Sequence, residues 1–326
     1  MTSLTARAPL LLDSIVSLRR QTHRDLHHFL PCPWRSGITA AKNLCCRCRI
    51  HFSYRMASGS TQSPATPKQT MTLPNGNLFE IFAGPALSEF EFRSAIESPL
   101  FKQWLKNMQG ERGLLAGGQM HLQRVEVQGI DMFQDRIGFL KFKAEVYDTQ
   151  TGMKVPGIVF ARGPSVGVLI LLESEEDTYV VLTEQARVPV GKLLLELPAG
   201  MLDDGGDVVG TAVREVEEET GINLNVRDMV NLTAFLDTTT SCKVFPSPGG
   251  CDEELNLFLY KGPVKKEIVT ALQGKEMGLR NHGELIKVHV IPYNKLWRLT
   301  ADAKALIAVA LYEMAKRDGL LSQANV

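Results

Sequence analysis

The sequence predicts an α/β (α+β) chain, and three features predict it. Alternating or β-branched runs recur between residues 125 and 183, which reads as a series of strands. Near residue 207 the apolar spacing changes from a period of two to the helical period of about 3.6. A second amphipathic stretch, from about Thr300 to Arg317, then closes the pattern. The length of 326 residues fits one or two domains behind an extension. An apolar content of 44% is ordinary for a globular protein and sufficient for a sizeable core.

The extension is visible in the charge. Lys and Arg total 36, as do Asp and Glu, but residues 1–79 carry ten basic side chains and only Asp13 and Asp25 as acids. The rest of the chain is therefore acidic, with 26 basic and 34 acidic residues, which argues against non-specific nucleic-acid binding. The head is rich in Ser, Thr and Ala and lacks a long apolar segment, the composition of an organellar transit peptide. Residues 1–60 are expected to be such a disordered presequence, with plastid favoured over mitochondrion; a basic tail binding anionic surfaces is the plainer alternative. Met56 also offers a start for a shorter cytosolic product. Residues 61–76, rich in Ser, Thr, Pro and Gly, read as a linker. No run of eighteen apolar residues exists, so no membrane span is expected. Cys32, Cys45, Cys46 and Cys48 fall in the presequence without a second ligand pair, leaving Cys242 and Cys251 in the body. No disulfide framework is expected, and a reduced compartment is the default.

Each element follows from its pattern. Phe90, Phe92, Ile96, Leu100, Phe101, Trp104 and Leu105 predict a helix over Leu87–Met108, with Pro99 as a break. Val125–Met132, Gly138–Tyr147 and Met153–Ala161 predict strands, with a turn at Asp148–Gly152. Val166–Leu172 is a continuous apolar run, as in a strand buried on both faces, and Tyr179–Thr183 returns as its partner. After a strand at Leu193–Leu197, Asp207 is placed to cap a helix and Gly221 to end it. Val209, Val213, Val216 and Thr220 form one stripe of that helix, facing a core. Strands near Met229–Leu236, Asn256–Tyr260 and Ile286–Ile291 precede the last helix.

The helix beginning near Asp207 carries Arg214, Glu215, Glu217, Glu218 and Glu219 within six residues. Like charges one turn apart destabilise a helix, so a cation is expected to neutralise them. Glu215, Glu218 and Glu219 lie at i, i+3 and i+4 on one face, opposite the apolar stripe, and are expected to point outward into a cleft. Carboxylates suit a hard divalent cation such as Mg²⁺, with Mn²⁺ as a substitute; no histidine or thiolate joins them, which disfavours zinc.

The segment from Gly200 to Ile222 resembles the Nudix box, G-x5-E-x7-R-E-U-x-E-E-x-G-U with U aliphatic. Gly200, Arg214, Glu215, Val216, Glu218, Glu219, Gly221 and Ile222 match it; Gly206 stands in the first glutamate position, with Asp207 beside it. Glu184–Pro189 (EQARVP), Glu196–Gly200 (ELPAG) and Ser247–Glu254 (SPGGCDEE) resemble elements of the ADP-ribose and ADP-sugar pyrophosphatase branch. Within it, residues from about 80 to 320 are most similar to plant plastid-type ADP-sugar diphosphatases. The resemblance implies a Nudix fold, a mixed β-sheet sandwiched between helices, over residues 162–326. It also implies a smaller β-rich N-terminal domain, residues 77–161, serving dimerisation and substrate binding in a homodimer.

The resemblance assigns roles to individual residues. Glu215, Glu219 and the carbonyl of Ala199 are implied to hold Mg²⁺, and Glu218 to share a second metal or position water. Arg214 orients the glutamates. Glu253, or failing it Glu254, acts from the loop as general base or further ligand. Arg187, Met201 and Arg162 are implied to meet the substrate. The implied reaction is Mg²⁺-dependent hydrolysis of ADP-glucose or ADP-ribose at the diphosphate, giving AMP and a sugar 1-phosphate. Plainer readings stand beside these. An acidic helix is often only a solvated surface, Arg187 has Glu184 and Glu196 as ion-pair partners, and Arg162 has core carbonyls within its chemistry. His121, His282 and His289 read as structural. At the level of function, the alternatives are a non-catalytic nucleotide-sugar sensor and a diphosphatase preferring UDP-glucose or NADH.

Overall fold

The computed structural model describes residues 66–133, 135–175, 177–202, 206–278 and 283–322. The expected presequence, with Met56 and four of the cysteines, lies outside the described residues, as does His282.

Strands β1 (Lys68–Thr72) and β2 (Leu78–Ala83) form an antiparallel hairpin. Its turn contains Asn75 and Gly76, and Gly76 takes a φ of 84°, the left-handed backbone that tight hairpins require. Composition predicts a linker through residue 76, and β1 corrects that expectation. Met71 packs against the apolar core of this half and Leu73 lies within it, an anchor that an average over Ser, Thr and Pro conceals. Helices α1 (Glu89–Glu97) and α2 (Pro99–Gln109) meet at Ser98, which ends the first and caps the second. Pro99 is therefore the first residue of a new helix, where its missing N–H costs nothing.

The long strands β3 (Met120–Phe133) and β4 (Arg136–Asp148) pair antiparallel, and β2 runs parallel to β3. Strands β5 (Lys154–Val155) and β6 (Ile158–Ala161) complete a six-stranded sheet. A single strand over Met153–Ala161 is expected from the pattern, but Pro156 and Gly157 divide it. Proline supplies no ladder N–H, and a Cβ on Gly157 would stand 2.1 Å from the Ala144 carbonyl oxygen.

The second sheet begins with β7 (Ser165–Glu173), β8 (Thr178–Arg187), β9 (Lys192–Glu196) and β10 (Ala199–Met201), followed by helix α3 (Val208–Thr220). After β11 (Met229–Asn231) come β12 (Leu255–Pro263), α4 (Lys266–Leu272), β13 (Glu276–Met277), β14 (Ile286–Pro292), α5 (Leu296–Leu299) and α6 (Ala303–Arg317). The order is β11-β12-β7-β8-β14-β13, with β10 on β7 and β9 on β8. Strand β12 is parallel to β7 and the other pairings are antiparallel, so the sheet is mixed.

The buried run in β7 organises both faces. Leu169 and Leu171 pack with Ala305, Ala308 and Tyr312 of α6, whereas Val166, Val168, Ile170 and Leu172 pack with Ala212 and Val216 of α3. This is the period of two of a strand covered on both sides. The result is a mixed sheet sandwiched between helices. The expected strand Met229–Leu236 stops at Asn231, whose side-chain carbonyl accepts from Thr233 Oγ1 at 2.7 Å and from the Ala234 N–H at 3.0 Å. That Asx-type bonding turns the chain out of the ladder. Among the described residues, no helix is long and apolar enough to cross a membrane.

Candidate active site

Helix α3 carries the carboxylates, and its two ends are fixed by local chemistry. The Asp207 carboxylate accepts from the Gly210 N–H at 2.9 Å as N-cap, and Gly221 ends the helix with a φ of 72°. Gly206, in the box position where glutamate is usual, also has a φ of 72°. A glutamate there would be strained, and Asp207 uses its carboxylate to cap the helix.

The three glutamates do not share one outward face. Ala212, Val216, Glu219 and Thr220 are the buried side, spaced i, i+4, i+7 and i+8, while Glu215 and Glu218 are partly exposed. Glu219 therefore points inward, which corrects the expectation that all three acids face out. Its Oε2 accepts from the Ala199 N–H at 3.1 Å and its Oε1 from Gln185 Nε2 at 2.9 Å. Burial, reinforced by the neighbouring Glu215 charge, pushes the Glu219 carboxyl up to about 8 despite these donors and the nearby Arg187.

Glu215 lies against the turn before the helix. A Cβ on Gly200 would meet its carboxyl carbon at 2.0 Å, so the acid keeps this seat only while the position carries no side chain. The registers Ala199↔Gly167, Gly200↔Val166 and Met201↔Ser165 hold that turn against β7. Glu218 stands apart, in a loose pair with Arg214 at 3.9 Å on the exposed flank.

Arg187 ends β8 beside this group. Glu196 accepts from its Nε at 2.5 Å and from a terminal nitrogen at 3.1 Å, a bidentate pair in which Glu196 is 3% exposed. Lys304 Nζ binds the same carboxylate at 2.8 Å and Asp302 at 3.0 Å. Burial raises the Glu196 pKa, but Arg187 and Lys304 outweigh it and hold the group below the usual range. The ion-pair reading of Arg187 thus describes its geometry, and its side chain remains 41% exposed for a further partner.

The SPGG loop is stapled to β6, since the Phe160 N–H donates to the Gly250 carbonyl at 2.8 Å. Asp252 accepts from the backbone N–H groups of Arg162 and Gly163 at 2.8 and 3.2 Å. Glu253 accepts from Ser165 Oγ at 2.8 Å and lies 3.5 Å from Arg162, at the end of β7 that also pairs with Met201. Glu254 is turned elsewhere: it is buried and bound by Asn107 of α2 and Lys243. A cavity of about 950 Å³ adjoins this side of the loop, walled by Trp104, Asn107, Arg112, Phe245, Asp252 and Glu254 among others. None of the helix glutamates lines it.

The fold thus brings Ala199, Glu215, Glu219 and Arg187 together and places Glu253, Arg162 and Met201 around Ser165. Glu218 and Arg214 stay on the exposed flank. Of the histidines, His121 lies in β3 and His289 in β14, 3.6 Å from Glu184. Gln185 and Glu196 belong to the site through side-chain bonds; Glu196 was one of two partners the sequence offers Arg187, whereas nothing in its motif singled out Gln185. Lys304, Asp302, Asn107 and Lys243 carried no local signal at all.

The donor set bears on the expected cation. Among the described residues, no three His, Cys, Asp or Glu side chains close into a complete cage. Mg²⁺ does not need one, because it keeps several waters and takes one or two carboxylates together with substrate phosphates. Two carboxylates, one of them desolvated and repelled by the other, fit a hard divalent ion.

Comparison with known proteins agrees with this chemistry. The family model described as NUDIX domain matches residues 161–310. Nudix hydrolase 14, chloroplastic, of Arabidopsis thaliana is 60% identical over 277 residues, covering 85% of this chain and 87% of that protein. The methanol dehydrogenase activator of Bacillus methanolicus is 34% identical over 153 residues, covering 47% of this chain and 74% of the relative. An ADP-ribose pyrophosphatase of Bacillus subtilis is 32% identical over 150 residues, covering 45% and 72%. The box on α3, its packing against the LPAG turn and the extent of these matches lead to one conclusion: the chain belongs to the Nudix hydrolase family.

Proposed function

We propose that this Nudix hydrolase cleaves the diphosphate bond of ADP-sugars, ADP-glucose and ADP-ribose, releasing AMP and a sugar phosphate, with Mg²⁺ or in its place Mn²⁺. The observation that carries the reading is the pair Glu215 and Glu219, one packed on Gly200 and one buried on Ala199. Relatives named ADP-ribose pyrophosphatase and the EQARVP, ELPAG and SPGG elements support the choice of substrate.

Glu215, Glu219 and the Ala199 carbonyl would hold the cation, with Glu218 available to a second. Bound Mg²⁺ neutralises the diphosphate and makes water a better nucleophile. Gln185 and the Ala199 N–H fix the Glu219 carboxylate in one orientation. Arg214 steadies Glu218 on the exposed flank. Arg187, oriented by Glu196, reaches for a diphosphate oxygen, while Arg162 and Met201 flank the substrate. Of the two loop acids, Glu253 suits the role of general base or further ligand, because both oxygens of Glu254 are already engaged. Water adds at phosphorus, the bridging P–O bond breaks, and the loop acid takes the proton.

We also read residues 77–161 as the dimerisation and substrate domain of a homodimer. The exposed Met132, Phe133 and Ile158 supply apolar surface for such a contact. Residues 1–60 are read as a plastid transit peptide, in keeping with the relative named chloroplastic. The deciding experiment is a steady-state panel of ADP-glucose, ADP-ribose, UDP-glucose and NADH with Mg²⁺ and with Mn²⁺. Turnover of the ADP-sugars is expected to lead. Binding without turnover would make the protein a sensor, and preference for UDP-glucose or NADH would overturn the substrate assignment.

A further inference from the structure

The acid loop is joined to helix α2 through one carboxylate. Asn107 Nδ2 donates to Glu254 Oε1 at 3.0 Å, Lys243 Nζ binds Oε2, and Glu254 is 6% exposed. A buried carboxylate is tolerated only when paired and hydrogen-bonded, so this arrangement resists rotation of the side chain. A second strut lies close by, where Arg112 donates to the Thr238 carbonyl at 2.9 Å. The loop between is fixed at Gly250 by Phe160 and at Asp252 by the Arg162 and Gly163 N–H groups.

Glu253 and Glu254 are consecutive in the run entering β12, and they go to different partners. Glu253 reaches Ser165 and Arg162, whereas Glu254 reaches the α2 side. The Glu254 carbonyl also accepts from the Ser165 N–H at 2.9 Å, so with its side chain and its backbone both held, Glu254 limits where the adjoining Glu253 can point. We propose that Glu254 is a positioning residue: held by Asn107 and Lys243, it sets the direction in which Glu253 is presented, so that α2 of the six-stranded half helps to build the active site. The idea rests on the reading of Glu253 as the loop acid given above.

The test uses full-length Asn107→Ala, Glu254→Gln and the double variant, with ADP-glucose and Mg²⁺ as the probe. Asn107 is itself exposed, so its truncation leaves the core intact even if Glu254→Gln folds poorly. Each single change is expected to lower kcat roughly tenfold with KM nearly constant, and the double variant to be no worse than the weaker single. Asn107→Gln, which keeps an amide donor, is expected to restore most of kcat. Hydrogen exchange over residues 245–253 should quicken in Asn107→Ala. Loss of activity in Glu254→Gln with a normal Asn107→Ala would make Glu254 itself the reacting acid and overturn the proposal, as would additive effects. If the parent protein turns over no nucleotide sugar, the substrate reading fails instead. Unchanged exchange in Asn107→Ala would then still reject the tether, and faster exchange would still support it.

Discussion

Helix α3 and the SPGG loop both carry neighbouring carboxylates, but they sort them by different means. On α3 the helical period does the sorting. Glu219 falls on the buried side with Ala212 and Val216, Glu215 one turn earlier meets Gly200, and Glu218 is left outside with Arg214. In the loop there is no period to follow. Glu253 and Glu254 are divided by partners far away in sequence, Ser165 at a separation of 88 residues and Asn107 at 147. On the helix the angles between the acids can be read from the sequence but not which of them is buried; in the loop neither can.

Four measurements would break or sharpen that contrast. The largest effect is expected at Glu219→Gln, which removes the proposed anionic ligand while keeping the shape. Mg²⁺-dependent turnover should fall by at least about 100-fold, with an unchanged circular dichroism spectrum. Near-normal turnover would sink the ligand assignment. Next comes Gly200→Ala, whose methyl would displace the Glu215 carboxylate. Misplacing that acid should cost roughly 10- to 100-fold in kcat, with little change in stability in urea, because the displaced group is the end of a flexible side chain. Full activity would show that Glu215 does not need its seat on the turn.

The third effect is a pH dependence in chelator. Burial, then the Glu215 charge, raises the folded Glu219 pKa from 4.5 to about 8. The folded state then holds this proton more tightly than the unfolded chain. Its contribution is full below the unfolded pKa and is lost as pH rises through the folded one. The Tm of the parent, measured relative to Glu219→Gln, should decline between about pH 5 and about pH 8. A constant difference would contradict the buried placement. Arg93→Ala, breaking an i,i+4 pair with Glu89 that is exposed on both sides, should change stability by less than about 0.5 kcal/mol. A larger loss there would mean that charge placement matters well away from either acid cluster.

What the sequence made legible follows the same division. The buried strand at Val166–Leu172, the helix between Asp207 and Gly221 and the last helix all announced themselves by period and caps. The facing of α3 was less legible. The stripe Val209, Val213, Val216 and Thr220 suggests a face opposite the acids, but packing on β7 rotates the buried side to include Glu219. Strand β1 was hidden because two apolar anchors, Met71 and Leu73, are few among polar neighbours. The pairing of Arg187 with Glu196 was one of two legible choices, whereas the participation of Lys304 was not, since it arrives from α6, 108 residues further on.

Asp302 links the last helix to the turn that opens the box. Its carboxylate caps α6 through Lys304 and Ala305 and also accepts the Leu197 N–H, 105 residues upstream. During synthesis, therefore, the strand leading into the LPAG turn waits for its acceptor until α6 has begun to leave the ribosome. A nascent chain that already contains the whole Nudix box has the β7 pairing of this turn but still lacks the acceptor for Leu197. Docking of the last helix therefore completes the bonding of the turn that opens the box.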